Sequence, residues 1–247
     1  MNVVARMITR ALQDHGVQEL PIYRRILTLS CNELPPPFGR REYGELFRAS
    51  AADPHWMALS LATNSQSEGD GSQHLWDLAA STRDTDIARQ IQYHAIDESR
   101  HSRTYVKLLE LIFSVDETLA TQLRQLSPNY TKATPLIARK GSPFAHPVTV
   151  DELIQMNLAE IRTRIHQLLQ RPVLLAYCRP DQRAQVRRIL DSLLFDETRH
   201  IAYTACLIER AAEESGVAEV IDLMRERVRD FNEITDDEIA RRSLNPV

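Results

Sequence analysis

One pattern in the sequence could carry out chemistry, and it occurs twice. Asp-Glu-x-Arg-His is found at residues 97–101 and again at residues 196–200. Two copies that share four fixed positions are improbable by chance. In each copy the glutamate and the histidine are three positions apart, which places both side chains on one face of a helix. The two pairs are Glu98 with His101 and Glu197 with His200.

Both pairs share a helix face with apolar residues, so the sequence predicts that they point into a core. The apolar neighbours are Ile87, Ile91, Tyr105, Leu108, Leu109 and Ile112 in the first helix and Leu190, Leu193, Leu194, Leu207 and Ile208 in the second. A buried ionised carboxylate is costly unless it is paired or binds a metal. A single Glu-x-x-His pair is most often solvated or hydrogen-bonded, but two pairs on apolar faces predict metal binding.

The elements that must position these pairs are helices, predicted from caps, chain breaks and apolar periodicity. Residues 21–39 are predicted to form an irregular arm. Residues 127–147, which include four prolines, are predicted to form a long connection. The predicted helices cover residues 3–12 and about 54–80, 84–113, 116–126, 149–170, 180–214 and 217–244.

Four of these helices are long, and they fall into two pairs separated by the long connection. This order predicts an all-α fold, a four-helix bundle with a long crossover connection and flanking helices. We predict a single domain over residues 1–247. Its bundle core covers about residues 54–214, its N-terminal arm residues 1–52, and its C-terminal helix residues 217–244.

Composition excludes several classes of protein. The 30 basic and 34 acidic residues give a net charge of −4, so the chain lacks the basic excess of a typical nucleic-acid binder. Three cysteines without a Cys-x-x-Cys motif predict reduced thiols. No signal peptide is recognisable, and no apolar run reaches the ~20 residues of a membrane helix. A cytoplasmic protein without a membrane partner is expected.

The two Glu-x-x-His helices, each preceded by a helix that carries a glutamate, resemble the ferritin-like di-iron carboxylate oxygenases. The Asp-Glu-x-Arg-His form is similar to the motifs of bacterial multicomponent monooxygenases and of the ribonucleotide reductase small subunit. The chain length fits better the compact single-chain members, such as arylamine N-oxygenases, aldehyde-deformylating oxygenases and tRNA hydroxylases. The resemblance covers about residues 54–210.

The resemblance implies two further ligands, one glutamate from each preceding helix. Glu68 and Glu160 lie on apolar faces of those helices. Four carboxylates would offset the charge of two divalent ions, and a carboxylate-rich site suits iron, or manganese, better than zinc. The implied ligand set is Glu68, Glu98, His101, Glu160, Glu197 and His200.

The resemblance also implies roles for residues beside the ligands. Asp97 and Asp196 would each hydrogen-bond the histidine of the opposite motif and so fix its orientation. The alternative is that each is a surface acid beside its motif arginine. His94 lies one turn before Glu98. Arylamine N-oxygenases carry an extra histidine ligand one turn before a motif glutamate, although on the later helix, where this chain has Leu193. His94 is therefore either a seventh ligand or a buried core histidine.

Polar and small residues near the two outer glutamates leave alternatives open. Ser65, Gly71 and Ser72 near Glu68 either make room for dioxygen or substrate, or allow close helix packing. Arg164, four residues after Glu160, either pairs with a substrate carboxylate or forms a salt bridge. The other histidines show no ligand spacing, and structural roles are expected for them.

These observations predict a dioxygen-activating di-iron enzyme that hydroxylates or N-oxygenates a small organic substrate, in a biosynthetic pathway. It would need O2 and an electron donor, and a homodimer is common among the proteins it resembles. The alternatives are a ferroxidase or other iron-handling protein, a tRNA-modifying hydroxylase, and a scaffold without a metal.

Overall fold

The computed structural model describes residues 1–113 and 117–244, and the side chains in these ranges up to residue 240. The described chain is helical and contains no strand, which confirms the all-α prediction. Within it, no helix combines the length and apolarity needed to cross a membrane. The helices are α1 (Val3–Asp14), α2 (Pro21–Glu33), α3 (Arg41–Ser50), α4 (Pro54–Ser81), α5 (Thr85–Ile112), α6 (Glu117–Leu126), α7 (Val150–Tyr177), α8 (Arg183–Ser215) and α9 (Val217–Leu244), with a 3-10 turn at Pro37–Gly39.

Local capping explains where the long helices begin. The Asp53 carboxylate accepts a hydrogen bond from the backbone N–H of His55 at 2.9 Å, just ahead of Pro54. Thr149 and Glu152 form a reciprocal capping box at the start of α7, with bonds of 2.8 and 3.2 Å. These starts agree with the sequence prediction. The predicted start of α6 at Asp116 lies outside the described residues, among which the helix begins at Glu117.

Three predicted boundaries were wrong. The helix α2 covers residues 21–33, within the segment that was predicted to be irregular, and the helix α3 covers residues 41–50, where no element was predicted. The helix α7 continues beyond the predicted end near Gln170 to Tyr177, with Pro172 inside it. Burial of Leu174 in the last turns offsets the backbone bond that a proline removes. The helix α8 begins at Arg183 and not at Pro180.

The start of α2 depends on a carboxylate far away in the sequence. Leu20 precedes the helix and provides no side-chain cap. Instead Glu209 of α8 accepts the backbone N–H groups of Ile22 at 3.1 Å and of Tyr23 at 2.5 Å. A carboxylate at a helix N-terminus satisfies unpaired donors and complements the helix dipole. Because the cap is not local, the sequence pattern could not show it.

Replacing Glu209 by alanine should lower the free energy of unfolding by about 1–3 kcal/mol, because the buried N–H group of Tyr23 and the partly buried N–H group of Ile22 lose their acceptor. Urea unfolding followed by circular dichroism measures the change. Glu213→Ala, an exposed glutamate four positions later in the same helix, is the matched control, and a change within about 0.5 kcal/mol is expected for it. Equal effects of the two substitutions would contradict a capping role for Glu209.

Contacts between Cα atoms divide the chain into two compact units. The first unit comprises Met1–Arg48, Thr149–Leu169 and Leu194–Val247, and the second comprises Ala49–Val148 and Gln170–Leu193. Each unit contains one Asp-Glu-x-Arg-His motif together with the additional glutamate of the preceding helix.

In the second unit, α4 and α5 approach closely through small residues. The Ser65 hydroxyl donates to the carbonyl of Ser102 at 2.9 Å, and the Ser102 hydroxyl donates back to the carbonyl of Ser65 at 2.6 Å. Ser72 bonds the carbonyl of Ala95 at 2.7 Å. Ser65 and Ser72 therefore allow close packing of α4 against α5. This observation favours close helix packing over a role in making room for dioxygen or substrate.

Two glycines of α4 should respond in opposite directions to added side-chain atoms. A Cβ at Gly69 would lie 3.3 Å from the Ser102 hydroxyl and from the Pro128 ring, whereas a Cβ at Gly71 meets nothing within 4 Å. We expect Gly69→Val to lower the unfolding free energy by about 1–3 kcal/mol. Gly71→Ala should raise it by about 0.5–1 kcal/mol, because glycine is a poor helix former. Thermal unfolding measures both, and a stabilised Gly69→Val would contradict the close packing.

The long connection after α6 is tied to α4 at three places. Tyr130 stacks on Trp76 with ring centroids 4.2 Å apart, and Phe144 stacks on His74 at 3.9 Å. Arg139 donates to the fully buried Asp77 carboxylate through its backbone N–H at 2.7 Å and its guanidinium Nε at 2.8 Å. The carboxylate of Asp77 thus has a structural partner, which accounts for it without a metal.

The Asp77 contact makes stability depend on pH. Burial alone would raise the pKa of Asp77, but hydrogen bonds from Arg139 and Ser142 and the Arg139 charge outweigh it, and the pKa is lowered. The folded-state pKa therefore lies below the unfolded value of about 3.9, so the stabilisation is present above that pH and lost as the pH falls. Asp77→Asn should reduce the unfolding free energy by about 1–3 kcal/mol at pH 7 and by less at pH 3. Urea unfolding across pH 3–7 measures this, and a difference that does not depend on pH would contradict it.

Candidate metal centre

The second unit contains a group of ligand-type side chains that we call the Glu98 cluster, made of Glu68, His94, Glu98 and His101. The helix α5 buries Glu98 and His101, which are 4% and 0% exposed, as the apolar stripe predicts. His101 Nδ1 lies 3.5 Å from Glu98 Oε1. Glu68 of α4 joins this pair, since one ligand atom from each of the three residues lies within 4.8 Å of the others. These side chains could hold a metal ion.

His94 lies on the Glu98 side of α5. Its Nε2 atom is 3.3 Å from Glu98 Oε1, and the side chain is 1% exposed. Both a metal ligand and a core histidine would be buried, so the burial of His94 does not distinguish these interpretations. Its contact with the Glu98 carboxylate is expected of a metal ligand, or of a residue that orients one. A role in binding metal stays a prediction.

The first unit contains the Glu197 cluster, made of Glu160, Glu197 and His200. His200 Nδ1 lies 3.3 Å from Glu197 Oε2 and 3.6 Å from Glu160 Oε2. Glu197 is 0% exposed, His200 2% and Glu160 9%. One nitrogen thus faces two carboxylates. This nitrogen can carry only one proton. A metal cation is therefore the group that would interact favourably with the nitrogen and with both carboxylate oxygens together.

Gln167 holds one oxygen of Glu197. Its Nε2 group donates to Glu197 Oε1 at 2.6 Å, while Glu197 Oε2 is the oxygen near His200. The sequence analysis missed this residue. The sequence feature that could have indicated it is its position seven residues after Glu160, two turns along the same helix face. The hydrogen bond fixes the plane of a carboxylate that could bind metal.

A buried hydrogen-bond network lies beside the Glu197 cluster. Tyr23 donates through its hydroxyl to Asn157 Oδ1 at 2.8 Å, and Asn157 Nδ2 donates to the carbonyl of Ile201 at 3.2 Å and to the hydroxyl of Thr204 at 2.9 Å. Burial raises the pKa of Tyr23, so its proton stays available to donate. The network ties α2, α7 and α8 together one turn from Glu160 and His200.

Each motif aspartate pairs with the arginine of its own motif. Arg100 Nη2 donates to Asp97 Oδ1 at 3.1 Å, and Arg199 Nη2 donates to Asp196 Oδ1 at 3.0 Å. The two motif arginines are therefore ion-pair partners of the motif aspartates. Asp196 is only 7% exposed, so it is not a surface acid. The support of a histidine by the aspartate of the opposite motif stays a prediction.

Histidines outside the motifs have structural contacts. His166 Nε2 lies 2.6 Å from the Tyr43 hydroxyl, and the two rings stack at 5.6 Å. His15 packs on Phe195 at 4.8 Å between ring centroids, and His74 stacks on Phe144. Among the described residues, none of these three belongs to a cluster of metal-ligand side chains. These contacts agree with the structural roles that the sequence analysis expects, which stay predictions.

A separate cavity lies in the first unit, outside the Glu197 cluster. Its volume is about 450 Å³, and none of the six predicted ligands lines it. Leu12 of α1 and Tyr23 and Leu29 of α2 contribute to its mainly apolar wall. One of its walls is the helix α2, which the sequence analysis missed.

No family model, no curated protein and no solved structure matches this chain. The chemistry must therefore be inferred from the side chains themselves. Their donor set is rich in carboxylate oxygen with few imidazole nitrogens and no thiolate. Such a set could hold a metal ion, and it differs from a closed zinc site, which is typically built from Cys and His ligands alone.

Proposed function

We propose that this chain is a non-haem di-iron oxygenase that uses O2 to hydroxylate or N-oxygenate a small organic substrate. The observation that supports the proposal most strongly is the repeated motif, whose two Glu-His pairs are both buried, each with a further glutamate from the preceding helix. The proposal assigns one iron to the Glu98 cluster and one to the Glu197 cluster, and manganese would fit the same ligands.

Charge supports two ions rather than one. The clusters contain four carboxylates, which are Glu68, Glu98, Glu160 and Glu197. Four negative charges in largely buried positions are unfavourable without counter-charge. Two divalent cations supply a charge of equal size and opposite sign. One ion would offset only two of these four charges.

Bound iron would supply the activation of O2 and the oxidising power, while the protein supplies binding and orientation. The carboxylates and imidazoles hold the ions. Gln167 holds Glu197 Oε1, so that the orientation of this carboxylate is set before any ligand arrives. Burial of both Glu-His pairs limits access of bulk water, which would otherwise weaken charge interactions at the site.

The remaining parts of the proposal rest on the resemblance. We assign the chain to the ferritin-like four-helix bundle architecture, with a bound organic substrate, an external electron donor and a cytoplasmic location. A homodimer is included because it is common among proteins of this kind. The net charge of −4 speaks against a tRNA substrate.

An anaerobic Fe(II) titration of metal-free protein, followed by mixing with oxygenated buffer, tests the proposal. We expect two irons per chain and a new visible absorption on mixing with O2. This absorption should decay faster when substrate is added. Absence of tight iron binding, or iron that does not react with O2, would exclude the oxygenase. Uptake of many more than two irons per chain after oxidation would indicate a ferroxidase or storage protein instead.

A further inference from the structure

Arg164 is a positively charged side chain next to the Glu197 cluster, and it forms no salt bridge with the predicted metal ligands, which all lie within the described residues. It lies one turn after Glu160 on α7, on the same helix face. Its Nε group donates to the hydroxyl of Thr198 at 3.0 Å. The Thr198 hydroxyl in turn donates to the carbonyl of Leu194 at 2.8 Å, so its oxygen is turned to accept from Arg164. The guanidinium is thus oriented by the residue that follows Glu197.

No salt bridge accounts for this arginine among the residues that the structure describes. The nearest relevant acids have other partners. Asp14 is bonded through both carboxylate oxygens to Arg10 at 3.0 Å, and Glu197 accepts from Gln167. The salt-bridge interpretation of Arg164 therefore does not hold for the described residues.

Burial makes this arrangement costly unless an anion binds. Burial lowers the pKa of Arg164, although the charges of Asp14 and Glu197 oppose the change. The guanidinium still carries its charge at neutral pH, and a partly desolvated charge without an ion pair is unfavourable. A cation on Glu160 and Glu197 would neutralise their two negative charges. Arg164 would then be a positive charge in excess beside the cluster.

We propose that Arg164 binds the carboxylate of the organic substrate, so that the enzyme acts on small carboxylic acids. This inference rests on the proposed function and adds the substrate class. A guanidinium has parallel N–H groups that match the two oxygens of a carboxylate. With Nε used by Thr198, its two terminal nitrogens remain for the substrate. A monoanion matches the single positive charge, whereas a phosphate dianion would need a second cation, and nearby Arg162 already pairs with Glu238 at 2.5 Å.

Calorimetric titration of cobalt(II)-loaded protein with benzoate and hexanoate, and with the amide of each, tests the inference. We expect both acids to bind and both amides to bind at least about tenfold more weakly. Arg164→Met should weaken acid binding by about tenfold to a hundredfold, which is typical for loss of a charged hydrogen-bond partner. Arg164→Lys should recover part of the affinity because it keeps the charge.

Two controls make the result specific. Arg187→Met removes an exposed arginine of α8 and should leave acid binding unchanged. If Arg164→Met does not fold, Thr198→Val removes only the hydroxyl that orients the guanidinium, and a loss of about threefold to tenfold is expected. Equal acid affinity in wild type and in the folded Arg164 or Thr198 variant would overturn the inference, because the acid would then bind the metal alone.

Failure of the proposed function gives a different result. A protein that takes up no cobalt and no iron contradicts the metal site. The same titration is then made on metal-free protein, where acid binding that Arg164→Met abolishes still supports an anion site. Acid binding that is absent, or that Arg164→Met leaves unchanged, contradicts the inference about Arg164.

Discussion

Replacing Glu197 by alanine should leave the protein with one tightly bound divalent ion per chain instead of two. The substitution removes a buried charged ligand, and only Glu160 and His200 remain of the Glu197 cluster. Substitution of a residue that hydrogen-bonds a metal ligand typically lowers metal affinity by about 10–100-fold. We therefore expect loss of a ligand itself to lower the affinity by more than about a hundredfold. Anaerobic titration with Fe(II), combined with metal analysis after gel filtration, measures the number of ions retained.

The same experiment has a matched set of variants. Glu98→Ala should remove the other ion, and the double variant should retain neither. Glu214→Ala, an exposed residue of the same helix as Glu197, should retain both. Two ions retained by the Glu98→Ala and Glu197→Ala double variant would show that these motifs do not hold the metal.

Removing metal with a chelator should lower the melting temperature by about 15 °C or more. An ion that binds only the folded chain stabilises it by about 4 kcal/mol at a thousandfold excess over its dissociation constant. Two ions would contribute about 8 kcal/mol, and each kcal/mol shifts the melting temperature of a domain of this size by about 2–4 °C. Differential scanning calorimetry of metal-free and reloaded protein measures the difference.

A single isosteric variant distinguishes metal ligands from structural acids. Glu197→Gln removes a fully buried charge but keeps its shape, so metal-free protein should become more stable by about 1–3 kcal/mol. The same variant should be less stable than wild type in the presence of metal, because it binds the ion poorly. If Glu197 had only a structural role, the substitution would lower stability both with and without metal. That outcome would argue against the di-iron proposal.

The variant also separates the ligand from its neighbour. Gln167 donates to Glu197 Oε1, and a glutamine at 197 can still accept this bond through its carbonyl oxygen. The hydrogen bond should therefore survive while the charge is lost. Any change in stability on Glu197→Gln then reports on the charge.

The sequence alone predicted the features that depend on neighbours along the chain. Asp53 and the Thr149 capping box mark helix starts because a cap and the N–H group it satisfies lie within three residues. The motif spacing and the apolar stripes predicted the burial of Glu98 and Glu197, because helix geometry sets which residues share a face. The all-α class followed from the same local signals.

Tertiary structure decided what depends on residues far apart in sequence. The helix α2 has no cap of its own, and its start is satisfied by Glu209, 186 residues after Tyr23. Gln167 reaches Glu197 across 30 residues, and Arg164 reaches Thr198 across 34. Such contacts form only when packed helices bring side chains together, and no local pattern encodes which partners will meet. The sequence by itself thus determined which residues are buried as ligand candidates, and the packing of helices determined what orients them.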